Sequence, residues 1–206
     1  MKIRIAFIVF AGILSLSPMS YSAETQEQEV CSNKKECDLP AMFYEKYFTF
    51  KPAKGTEISF DLDRDIRRNI FMKTLTFSGS GNYFVPHIYV KYYKEDNREF
   101  KKYEDYLEAN SKDIFNIPDN NLLSFEPLVQ TKVNKRKAYV IVRKKYRFKD
   151  YHAKTSAGAW EKEKIYVFPA EKGFFVLHYS AEESEYSKHI KAFEKLVKSF
   201  KGKISN

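Results

Sequence analysis

Gly173-Phe-Phe-Val-Leu-His-Tyr-Ser-Ala-Glu-Glu-Ser-Glu-Tyr186, closed by Phe193-Glu-Lys-Leu-Val-Lys-Ser-Phe200, holds two elements of different period. Phe174 to Tyr179 is apolar at odd and even positions alike, which predicts a central strand covered on both faces. Ser180-Ala-Glu-Glu183 matches a capping box, in which the Ser hydroxyl accepts an early helix amide and the Glu reaches back. Tyr186, Ile190, Phe193, Val197 and Phe200 then recur at intervals of four, three, four and three, a helical stripe that must bury against a sheet. Lys198 and Lys201 complement the C-terminal end of that helix, and Gly202 can terminate it.

Working backwards, Lys164–Phe168 reads as the hairpin partner of the central strand around Ala170-Glu-Lys-Gly173. Leu122–Val133 and Ala138–Phe148 read as a second hairpin around Asn134-Lys-Arg-Lys137. In its second strand Ala138, Val140, Val142, Tyr146 and Phe148 share one parity, and Arg143, Lys145 and Arg147 the other. Phe84–Tyr93 alternates in the same way: Ile88, Val90 and Tyr92 oppose His87, Tyr89 and Lys91. Ile70–Phe77, Glu57–Leu62 and Phe43–Phe50 are three further strand candidates. Glu99–Asn116 takes helical period, with Phe100, Tyr103, Leu107 and Ile114 on one stripe, Asp96 as a start signal and Pro118 as its end. Hairpins throughout with helices interspersed predict an α+β fold with a mainly antiparallel central sheet.

The Gly173–Tyr186 and Phe193–Phe200 segments resemble the C-terminal end of PsbP/Mog1-like domains. Those domains have an aromatic strand ending near Ser-Ala, an acidic helix start and a Phe-x-x-apolar-apolar-x-Ser-Phe close. The Asn134-Lys-Arg-Lys-Ala138 turn is similar to the family's penultimate hairpin region, so the resemblance covers about residues 120–201. The Tyr-Pro-x-x-Trp stretch common near the family's start is absent, Trp160 being the single tryptophan. The resemblance implies an α/β/α sandwich, with the sheet flanked by helices, and usually a non-enzymatic role. Members include extrinsic photosystem subunits, a Ran-binding protein and bacterial secreted proteins. The shared motifs concern packing, so no ligand residue carries across.

The chain has 206 residues, 36 Lys+Arg against 27 Asp+Glu, and is 43% hydrophobic and 17% aromatic, which excludes a disordered chain. Two cysteines exclude a disulfide-dense miniprotein and a four-cysteine metal site. Lys2 and Arg4 precede the apolar run Ile5–Leu16, Pro18 breaks it, and Ser20 and Ser22 have the spacing signal peptidase accepts. Residues 1–22 therefore read as a secretory signal peptide, with cleavage after Ala23 as the alternative. The run is too short for a spanning helix, no later segment reaches membrane length, and Cys31 follows Glu29-Val30 and not a lipobox. Residues 23–40 read as a flexible lead-in, and 41–202 as a single domain. Cys31 and Cys37, separated by five residues in a polar tail, suit a structural disulfide in an oxidising compartment better than a redox or metal pair. A secreted or periplasmic location is expected.

Chemistry is sparse. Asp61-Leu-Asp63-Arg-Asp65 opens like a calcium loop, but Ile66 and Met72 stand where an EF-hand needs Gly and a bidentate Glu, so a charged turn is expected. His87, His152, His178 and His189 lack metal-ligand spacing. Ser78-Gly79-Ser80-Gly81 is neither a nucleophile elbow nor a phosphate loop. No cofactor and no metal site is expected. Lys132 to Lys149, by contrast, carries nine Lys/Arg and no acid. Arg143, Lys145 and Arg147 project from one strand face, and Lys135, Arg136 and Lys137 cap its turn. Such a stripe attracts anions; the plainer role is to solvate a face or blunt an edge. The expected function is that of an exported, non-catalytic accessory protein, with these six residues contacting an envelope protein or an anionic lipid or glycolipid surface. Export argues against nucleic acid, and the oligomeric state stays open. The alternative is a secreted hydrolase with its site near the 153–159 loop and His152 or His178.

Overall fold

A strand with apolar residues on both faces belongs in the middle of a sheet, and there Phe174-Phe-Val-Leu177 lies, every residue at 0% exposure. The computed structural model describes residues 43–78, 84–113, 121–148 and 157–203, all within the unit Asn33–Asn206. Cys31, Cys37, the leader, His152 and residues 149–156 lie outside the described residues.

The strands are β1 (Phe48–Thr49), β2 (Thr56–Ser59), β3 (Ile70–Phe77), β4 (His87–Tyr93), β5 (Leu123–Phe125), β6 (Val129–Val133), β7 (Arg136–Phe148), β8 (Gly158–Ala170), β9 (Gly173–Glu182) and β10 (Lys201–Gly202). The helices are α1 (Leu62–Arg68), α2 (Tyr103–Ser111) and α3 (Glu183–Ser199). Eight strands form one sheet in the order β2-β3-β4-β9-β8-β7-β5, with β6 also on β7; β1 and β10 pair separately. Every pairing is antiparallel. The fold is thus α+β, mainly antiparallel sheet with a few helices. Pro127, which has no amide hydrogen to give, falls between β5 and β6, so the two follow one another along the outer edge of β7.

Strand parity separates two cores. Phe175, Leu177 and Tyr179 face α3, joining Phe193, Leu196, Val197 and Phe200 of the C-terminal segment. Phe174 and Val176 face α2, with Tyr106, Leu107, Ile141 and Ile165. Helices therefore pack on opposite sheet faces. The α2 face is apolar only at the end that α2 covers. Farther along it carries Glu161, Glu163, His178 and Ser180.

Several elements depart from the sequence reading. The Phe43–Phe50 strand is instead a helical turn at 43–45 leading to the two-residue β1. The charged turn is α1: Asp61 accepts from the Arg64 amide, and Asn69 closes the helix in the left-handed region at φ 54°. Asp65 is buried and accepts from Tyr44 Oη (2.7 Å) and the Met72 amide (2.6 Å). It ties the N-terminal segment to β3. The helix expected from Glu99 begins at Tyr103, because Asn97 Oδ1 accepts from the Glu99 and Phe100 amides and holds a tight turn there. Ser180 is not a cap. It belongs to β9, its hydroxyl donates to Glu161 across the sheet, and α3 starts three residues later at Glu183.

Candidate functional site

The basic run divides by strand parity and by turn geometry. Asn134 and Lys135 both take positive φ (49° and 67°), and Val133 pairs with Arg136, so the β6–β7 turn has two residues, not four. Arg136 and Lys137 are consequently strand residues facing opposite ways. Arg143, Lys145 and Arg147 share the α2 face, as their spacing predicts. They do not form an uncompensated cationic stripe.

Register supplies the reason. β7 and β8 set Arg143 opposite Glu163 and Lys145 opposite Glu161. Both glutamates are only 1% exposed. Arg143 Nε donates to Glu163. Lys145 Nζ lies 2.8 Å from Glu163 and 3.2 Å from Glu161, and Arg147 reaches Glu161 at 3.3 Å. His178 Nε2 stands 3.1 Å from Glu163, and Arg143 also donates to Asn110 of α2 at 3.2 Å. Burial raises the Glu163 carboxyl, but the His178 hydrogen bond and the charges of Arg143 and Lys145 outweigh it and hold the group well below the ordinary range. Burial lowers the His178 imidazole, so the ring is neutral near pH 7 and Nε2 carries its proton toward Glu163. This is a closed ion-pair network. Ser180 and His178 each spend a polar atom on a different glutamate, so no nucleophile–base pair forms between them. The partner carboxylates were legible in the alternation Glu161-Lys-Glu-Lys164, which puts two acids on one strand face.

The turn end differs. Arg136 points to the α3 face, and its guanidinium lies over three rings, 5.5 Å from Phe168, 5.9 Å from Phe175 and 5.7 Å from Phe200. Burial lowers its pKa, yet arginine stays charged. No carboxylate among the described residues pairs with it. A cavity of about 480 Å³ opens there, lined by Asn134, Arg136, Ala170, Phe200, Lys201 and Gly202. Gly202 allows this approach: a Cβ there would sit 2.6 Å from the Phe175 ring and 3.1 Å from Arg136 Nη2. Lys135 is exposed in the adjoining turn, whereas Lys137 is exposed on the opposite, α2 face, lying over Tyr139 at 5.0 Å. Lys201 brings a further cation. Of the six residues predicted for anion contact, Lys135 and Arg136 thus lie at an end where no carboxylate among the described residues pairs with Arg136, while Lys137 faces the other side of the sheet.

The other two described histidines, His87 and His189, have partners of their own. His87 Nδ1 meets the Val85 carbonyl at 3.0 Å, and His189 packs on Phe77 at 4.1 Å between ring centres. Among the described residues no group of three or more His, Cys, Asp or Glu is placed to hold a metal ion, and no helix is long and apolar enough to cross a membrane.

No family model and no curated protein matches this sequence. Among solved structures it is similar to PA94 of Pseudomonas aeruginosa, a protein of unknown function, at 8% identity and a TM-score of 0.46. That similarity covers 77% of this chain and 99% of the other. So distant a likeness leaves the functional reading to the residues themselves.

Proposed function

We propose that this protein is an exported, non-catalytic binding protein of the cell envelope on a PsbP/Mog1-like α/β/α sandwich, contacting an anionic surface through the β6–β7 turn end. Helices on both faces of an antiparallel sheet support the family reading, and the N-terminal leader supports export. The contact rests on one observation: Arg136, held among Phe168, Phe175 and Phe200 with no carboxylate partner among the described residues, lines an open cavity together with Lys201, next to Lys135 of the turn. A guanidinium fixed by aromatic rings is prepared for bidentate contact with an oxyanion.

The expected result is co-sedimentation with phosphatidylglycerol vesicles but not with phosphatidylcholine vesicles, weakening as salt rises. At about 1 kcal/mol per cation near an anionic membrane, the variant Lys135→Gln, Arg136→Gln, Lys201→Gln loses on the order of a hundredfold in affinity. Vesicle binding equal to that of the parent would refute this contact. Export carries its own expectation. Protein recovered from the envelope should begin at Ala23 or Glu24, and Cys31 and Cys37 should resist alkylation until a reductant is added. An intact leader or two free thiols would overturn it.

A further inference from the structure

A groove lies beside the Arg136 cavity on the same sheet face. It holds about 520 Å³ between the β6–β7 edge hairpin and α3, and shares Asn134 with that cavity. Val129, Val140, Val142 and Val197 form its apolar wall. Register places Val129 opposite Val140 and Val133 opposite Arg136, so these side chains line one face. Val129 is 53% exposed, with Leu122 and Leu128 also exposed along this edge. Two carboxylates also line the groove, each beside a cation: Glu194 accepts from Lys164 Nζ at 2.5 Å and from Tyr166 Oη at 3.0 Å, and Glu126 lies 3.9 Å from Lys162 Nζ. From Val142 to Arg136 the strand covers about 20 Å. The valine wall therefore runs beside paired charges and ends, near Asn134, at a positive end where Lys198, whose carbonyl accepts from Asn134 Nδ2, joins Arg136 and has no carboxylate partner among the described residues.

That polarity matches one kind of occupant. We infer that groove and cavity form a single site for one anionic amphiphile, its aliphatic chain along the valines and its oxyanion headgroup on Arg136. Ligand sites of this size are commonly apolar with a few convergent polar groups. The inference rests on the anionic contact proposed above and adds that one molecule leaves the surface and enters the fold.

The test is calorimetric titration of the purified protein with dodecyl phosphate below its micellar concentration. Inorganic phosphate and dodecyl maltoside serve as controls, and native mass spectrometry gives the stoichiometry. The expected result is one dodecyl phosphate per chain, bound at least about tenfold more tightly than either control, a difference of about 1.4 kcal/mol. Arg136→Gln and Val129→Glu should each weaken it at least tenfold, and the exposure of Val129 lets that variant keep the fold. Inorganic phosphate binding as tightly as dodecyl phosphate, with Val129→Glu silent, would overturn the chain site and leave the anionic contact standing. So would vesicle binding without monomer binding. A dimer that Val129→Glu dissociates, with no amphiphile bound, would show a second copy in the groove and overturn the inference. Loss of vesicle binding as well would remove the underlying contact too.

Discussion

Glu163→Ala is expected to lower the unfolding free energy by about 3–5 kcal/mol, because breaking a buried ion pair from one side strands the other charges. Glu163 is 1% exposed and accepts from Arg143, Lys145 and His178 together. With alanine there, Arg143 and Lys145 retain their positive charges beside a single remaining carboxylate, Glu161. The His178 N–H loses its acceptor, and the missing side chain leaves a cavity. Glu163→Gln keeps the volume and removes only the charge, so it should fall between parent and alanine. Urea unfolding with an unchanged m value measures the difference. Lys112→Ala breaks an exposed helix pair with Glu108 and should move stability by no more than about 0.5 kcal/mol. A Glu163→Ala variant as stable as the Lys112→Ala variant would show that the network carries no such weight.

The same network sets the acid side of the stability profile. The Glu163 carboxyl is held below its unfolded value, so the unfolded chain takes up the proton first as pH falls through the carboxylate range. Stability from this group is present above the unfolded pKa and is lost below it. The imidazole of His178 is also lowered, by burial, so it charges more readily in the unfolded chain. Its contribution likewise falls as pH drops through about 6.5, the ordinary histidine value. Asp65 acts the other way. Burial raises its carboxyl, so the folded state protonates first and the cost of a buried charge is relieved as pH falls. From pH 7 toward 5 the slope should therefore belong to the histidines. His178→Gln should flatten it, and an undiminished slope in that variant would reassign it.

What could be read before folding was whatever one element decides alone. Ile70–Phe77 coincides with β3 residue for residue, a short run of strand-forming residues that one segment shows alone. The doubly apolar Phe174–Tyr179 run and the Tyr186–Phe200 stripe also placed the central strand and its covering helix. What failed depended on a neighbour. Ser180-Ala-Glu-Glu183 has the residues of a capping box, but Glu161 on β8 claims the Ser hydroxyl. At seven residues α1 is too short to show a period, and its cap, Asp61, was hidden among other acids. The run of cations between Lys132 and Lys149 is plain in the sequence, but what stands opposite each of them is not. Only the β7–β8 register reveals that Glu161 and Glu163 answer one half of it. Likewise, only a two-residue turn turns Arg136 toward Phe168, Phe175 and Phe200.

Phe193→Ala should destabilise by about 3–5 kcal/mol, the range for a fully buried aromatic truncated to alanine. The side chain is 0% exposed, and its ring centre lies 5.9 Å from that of Tyr166 on β8 and 5.6 Å from that of Tyr179 on β9. It therefore joins α3 to two central strands at once. The neighbours are large rings already held elsewhere: Tyr179 Oη donates to the Tyr186 carbonyl at 3.0 Å, and Tyr166 Oη to Glu194 at 3.0 Å. Those bonds hinder collapse into the space, so the void should persist and the loss approach the upper end of the range. For a domain of this size the melting temperature would fall on the order of 10 °C. Lys195→Ala, two residues along the same helix and exposed, should stay within about 0.5 kcal/mol of the parent. The pair thus separates docking of the apolar stripe from helix propensity. If both variants melt with the parent, α3 contributes little to the stability of the sheet, and the groove that it walls loses one side of its support.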